Sequence, residues 1–151
     1  MAVSALSAAR TLCEMRDWTV SNLEIQKILY LAHMFHLGKT RGQPLVREDF
    51  EAWDYGPVLP EVYHRAKPFG SDRVRNVFHW VSALDAVSPE YATLKEASDA
   101  TKGLSAGRLV AITHWDHGAW ANAYRPGLRG AKITNAAILD EYDRRTTEFR
   151  S

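Results

Sequence analysis

Ser21-Asn22-Leu23-Glu24-Ile25-Gln26-Lys27-Ile28-Leu29-Tyr30-Leu31-Ala32-His33-Met34-Phe35-His36-Leu37-Gly38 decides the fold. Ser21 followed by Glu24 fits a capping box, so a helix begins near Asn22. Gly38 offers an end, because glycine readily takes the left-handed conformation that closes helices. On a helical projection the apolar residues occupy nearly the whole circumference. A helix that is apolar all round is a buried one. The expectation is a mainly α protein, with one or two short strands, whose helices surround this central one. Gln26, Tyr30 and His33 form its one polar stripe and should hydrogen-bond to neighbouring elements, as buried polar groups must. His33 and His36 together supply half a metal site. No acid or cysteine pairs with them by spacing, so they are read as satisfied polar positions.

Outward from that helix, Leu6, Ala9 and Cys13 share a face of an N-terminal helix. On the other side comes Phe50-Glu51-Ala52-Trp53-Asp54-Tyr55-Gly56-Pro57-Val58. Its imperfect alternation suggests a short strand with a bulge or early bend. Gly56 permits a turn, and Pro57 should end any pairing ladder. Pro60 to Tyr63 read as a short helix. Residues 67–72 are turn chemistry, and Val74, Val77, Trp80 and Leu84 suggest an amphipathic stretch. Ser88-Pro89 opens another helix that ends near Gly103, and Leu104-Ser105 restarts one through Leu109, Ile112 and Thr113. Pro126, Gly127 and Gly130 punctuate a loop. Thr134 or Asn135 caps a last helix with Ile138, Tyr142 and Phe149 on one face. There are no repeats or linkers, so residues 1–151 are expected to form one domain.

Composition is ordinary for a globular chain, 46% hydrophobic and 25% charged. The net charge is +1, from 19 Lys+Arg against 18 Asp+Glu. Nucleic-acid modules depend on a basic excess, so bulk charge argues against that role. Arg41, Arg47, Lys67, Arg73 and Arg75, interleaved with Phe69, Phe78 and Trp80, keep a local basic surface open as an alternative. The lone Cys13 cannot form an intrachain disulfide and suits a reducing cytoplasm as a small core residue. No apolar run has the length of a membrane span, and no secretion signal is evident.

Thr113-His114-Trp115-Asp116-His117 is the densest cluster of functional-looking side chains. Two histidines around an acid suggest a metal site or a base with its orienter, but the spacing misses the helical zinc pattern. The alternative is structural, with His114 at a helix end bonding free carbonyls. There is no phosphate-binding glycine loop and no nucleophile elbow. The expectation is therefore a protein without catalytic residues, metal or cofactor. The aromatic-rich block suits recognition, since Tyr, Trp and Arg carry much of the energy at protein interfaces.

Two stretches together resemble the Panacea-domain family. Leu23 through Ala32 resembles its Leu-Gln-Lys-Leu-Leu-Tyr helix, and Phe50 through Tyr63 its Ala-Trp-x-Tyr-Gly-Pro-Val block. Leu104, Ser105, Leu109, Thr113, His114 and Trp120 resemble its C-terminal pattern, with departures at Trp115 and Ala119. The resemblance marks Gln26, Lys27, Tyr30, Trp53, Tyr55, Gly56, Pro57, Tyr63, His114 and Trp120 as family positions that serve the fold or touch a partner. It implies an antitoxin that binds and neutralises a cognate protein toxin. The compact length resembles the type that acts as an adaptor delivering its toxin to the ClpXP protease. On that reading the protease contact is a mobile terminus, Met1-Ala2-Val3 or the tail after Phe149. The alternatives are a DNA-binding regulator of its own operon and a hydrolase, His-based or metal-dependent, built on His114, Asp116 and His117.

Overall fold

The structure, a computed structural model, describes residues 1–128 and 130–150, apart from the side chains of 148–150. Its axis is the expected central helix, α2 (Asn22–Thr40). The capping box forms in full: Ser21 Oγ accepts from the Glu24 N–H at 3.3 Å, and Glu24 Oε1 accepts from the Ser21 N–H at 2.9 Å. α2 is buried on nearly all sides, as its apolar circumference requires. It does not stop at Gly38. That glycine lies inside the helix, where an added Cβ would collide with the Tyr142 ring. The glycine serves a close helix approach, and the helix instead closes at Arg41 (φ 56°).

Around α2 lie α1 (Ala5–Met15), α3 (Pro60–Ala66), α4 (Pro89–Ala100), α5 (Ala106–Thr113), α6 (Ala119–Ala123) and α7 (Asn135–Arg150), with α4, α5 and α7 packed against it. Serine hydroxyls cap α1, α4 and α5 through Ser4, Ser88 and Ser105. Of the two candidates for α7, Thr134 supplies the cap, accepting from the Ala137 N–H at 3.1 Å. The expected Phe149 side chain of that helix lies outside the described residues.

The aromatic block forms a hairpin, β1 (Phe50–Trp53) and β2 (Gly56–Val58), turning through Asp54 and Tyr55. Its register is regular, Glu51 opposite Val58, Ala52 opposite Pro57 and Trp53 opposite Gly56, in place of the anticipated bulge. Alternation fails because both faces are covered: Phe50 packs edge-on to Tyr30, while Trp53 meets Tyr63. Nor does Pro57 end the ladder. β2 is an edge strand, where a proline's missing N–H can face away from its neighbour. A third strand, β3 (Ala131–Ile133), pairs on the other side of β1. Three residues are too few to show a period.

The stretch around 74–84 is not a helix. It is a strap across α1 and the start of α2, and its backbone finds partners there. The Val74 N–H donates to Val20 O at 2.8 Å, and the Leu84 N–H to Thr11 Oγ1 at 2.8 Å. Val74 and Phe78 are buried beneath it. The N-terminus is also tied down: the Val3 N–H donates to Leu45 O, and Val3 O accepts from the Arg47 N–H, each at 2.9 Å. Cys13 is fully buried, and burial pushes its thiol up to about 12, so it stays a neutral core side chain.

Candidate functional site

Where the hairpin leans on α2 and α3, it leaves a cleft of about 570 Å³. Gln26 and Lys27 of α2, Trp53 and Tyr55 of the hairpin, and Tyr63 of α3 all contribute to its wall. The folded chain thus brings together five of the ten family positions read from sequence. Asn22, Asp54 and Leu128 join them without having been marked as site residues, and Lys67 joins from the set of basic residues read as an alternative basic surface.

Each wall residue has a physical reason to be there. Gln26 is a buried strut: its Oε1 accepts from the Leu59 N–H at 2.8 Å, and its Nε2 reaches Asn22 Oδ1 at 3.3 Å. That pair fixes the end of the hairpin to α2. One position on, Lys27 is 1% exposed. Its Nζ donates to Pro57 O at 3.1 Å, satisfying the carbonyl that the edge strand turns away from β1. Gly56 lets this happen. Its φ of 116° favours glycine, and an added Cβ would stand 2.9 Å from Lys27 Nζ. No carboxylate forms an ion pair with Lys27 among the described residues, and burial pulls its ammonium down to about 7. Tyr55, at the hairpin tip, is 71% exposed.

His114 and Trp120 stand behind the hairpin. The Trp120 Nε1–H donates to Trp53 O at 2.7 Å, and the Trp120 ring stacks between His114 and Tyr124 at centroid distances of 3.6 and 4.7 Å. His114 Nε2 lies 3.0 Å from Asp54 O, and the Tyr124 hydroxyl donates to the Asp54 carboxylate. His114 therefore does bond a free carbonyl, but one on the hairpin turn. These rings brace the tip from behind. Tyr124 lies just past the end of α6, in extended backbone, and carried no sequence signal.

Tyr30 belongs elsewhere. Its hydroxyl donates to Glu141 Oε1 at 2.6 Å, and the same carboxylate accepts from the Ala119 N–H at 3.0 Å and from Arg145 Nε at 2.7 Å. Glu141 carried no sequence signal beyond an arginine four residues on. His33 is fully buried: Nδ1 accepts from the Val46 N–H at 3.3 Å, so Nε2–H donates to Asn135 Oδ1 at 2.8 Å. Burial lowers His33 to about 4 and keeps it neutral. His36 turns another way, towards Thr93 Oγ1 at 2.9 Å.

The cluster after α5 does not converge. His114 stacks on Trp120, whereas His117 sits edge-on to Trp115, and neither imidazole bonds a carboxylate among the described residues. No group of three or more His, Cys, Asp or Glu among those residues is placed to hold a metal. The interleaved basic surface is also broken up, because Phe78 is buried and Arg41 forms a two-bond pair with Asp143. No helix among the described residues is long and apolar enough to cross a membrane.

Residues 25–121, which carry most of the cleft wall and the bracing His114 and Trp120, match the family described as antitoxin SocA-like, Panacea domain. The chain belongs to this family. It is also 32% identical over 142 residues to Antitoxin SocA of Caulobacter vibrioides (strain NA1000 / CB15N), a match covering 83% of this chain and 73% of that protein. No solved structure matches the chain. The Panacea match begins inside α2 and ends inside α6, so it spans the hairpin and both structures that hold it.

Proposed function

We propose that this protein is a cytoplasmic antitoxin that binds and neutralises a cognate protein toxin without catalysing a reaction. Residues 1–151 act as one Panacea-like domain. It works as an adaptor: it holds the toxin and presents it to the ClpXP protease. The observation that carries this reading is the match to the SocA-like family across most of the residues that build the cleft. The geometry agrees with it. An aromatic tip, exposed at Tyr55 and braced by His114, Trp120 and Tyr124, offers a rigid contact that loses little entropy on binding. Gln26, Lys27, Gly56 and Pro57 set the tip's position, Trp53 and Tyr63 pack beneath it, and Tyr30 anchors α2 to α7.

The test is co-expression with the product of the adjacent gene. Growth rescue and co-purification are expected, and the toxin level should rise when ClpX is depleted. Absence of both rescue and co-purification overturns the antitoxin reading. Rescue with a toxin level indifferent to ClpX leaves masking in place and removes delivery.

A further inference from the structure

Lys27 is a buried family position whose donors are incompletely met among the described residues. An ammonium carries three donors. Among the described residues it uses one, on Pro57 O, and meets no carboxylate. A charge buried in this way is costly unless it is paired. The cleft beside it supplies room for a partner group, and Lys67 adds a second positive charge to the wall. The acid that lines the cleft among the described residues, Asp54, is engaged by the Tyr124 hydroxyl. Two exposed apolar side chains, Tyr55 (71%) and Leu128 (55%), stand at the same cleft.

We propose that this cleft receives an acidic side chain of a protein partner. A glutamate or aspartate on a short apolar segment lowers its carboxylate to Lys27, while its neighbours rest on Tyr55 and Leu128. Charge complementarity selects this occupant: Lys27 has no ion-pair partner among the described residues, Lys67 adds a second cation, and Tyr55 and Leu128 stand exposed at the same cleft. A carboxylate there would also return to Lys27 the charge that burial weakens. The inference rests on the reading of the protein as a partner-binding module and names the chemistry of its anchor.

The test pans random heptapeptides displayed on phage against the full chain, and against Lys27→Met and Tyr55→Ala. The wild type should enrich Glu or Asp at one fixed position beside apolar residues. Lys27→Met should lose the acid preference and keep the apolar one, whereas Tyr55→Ala should keep the acid preference. Calorimetry on a selected peptide and its Glu→Gln form should give about tenfold weaker binding for the latter. Leu128→Glu, at an exposed rim position, should cost a similar factor and Leu128→Lys should not, which keeps the test decisive if Lys27→Met fails to fold. No enriched peptide, no acid preference, an acid preference that survives Lys27→Met, or Leu128→Glu binding as well as wild type each overturns the proposal. Toxin co-purification reports on the antitoxin reading separately, since a toxin can be held by another surface.

Discussion

The two sides of α2 solve the same problem in opposite ways. Towards α7, buried polar groups are fully matched: Tyr30, the Ala119 N–H and Arg145 converge on Glu141, and His33 is bonded at both ring nitrogens. Towards the hairpin, Lys27 is as deeply buried but bonds only one carbonyl among the described residues, next to a cleft. A closed network fixes one arrangement of helices. An ammonium without a counterion gives up stability and leaves a charge for something else to meet. The α7 side thus holds the fold, and the hairpin side is where the fold leaves chemistry unfinished.

Glu141→Ala should break this contrast most. It strands two donors and a partly buried arginine, and should lower unfolding free energy by about 3–5 kcal/mol in urea melts. A loss below about 1 kcal/mol would mean the α7 network is no better matched than the hairpin side. Next, Lys27→Met should leave stability unchanged or raise it by about 1–3 kcal/mol at pH 6, since it removes an uncompensated charge.

The pH dependence sharpens the same point. Lys27 is held at about 7 in the fold against an ordinary value of 10.5. Between those values the unfolded chain binds more protons, so stability rises with pH across that window, by up to about 1.4 kcal/mol per unit. The contribution is lost as pH falls through 7, and Lys27→Met should flatten that slope in melts between pH 7 and 10. His33, held at about 4 against 6.5, has the same sign lower down. Its contribution is complete above pH 6.5 and disappears as pH falls through 4, by up to about 1.4 kcal/mol per unit, visible in melts from pH 7 to 4. Tyr55→Ala should move stability by less than about 0.5 kcal/mol, because the ring lies in solvent. Toxin binding, measured by titration, should nonetheless weaken about tenfold.

Much of this was legible from residue order. The Ser21/Glu24 box, the apolar circumference of α2 and the serine caps are local features whose physics needs no neighbour. The family blocks marked five cleft-wall residues before any geometry was known. Gly38 and Pro57 misled for one reason. Each was assigned the role it has in an isolated element, helix end or ladder end. In the fold, Gly38 admits the Tyr142 ring, and Pro57 sits on an edge where no N–H is needed. The strap at 74–84 misled because an apolar spacing of three and four residues serves an irregular chain crossing a helix as well as it serves a helix.

By itself, then, the sequence determined that α2 would be central and buried, that most elements would be helices, and that an aromatic turn would follow. Those outcomes depend on periodicity and capping, which act over a few residues. Only the tertiary structure decided that Tyr30 meets a glutamate 111 positions away, that β3 completes the sheet, and that Lys27 is buried at a cleft with no carboxylate paired to it among the described residues. Such pairings depend on which surfaces packing brings together, and no short-range pattern encodes them.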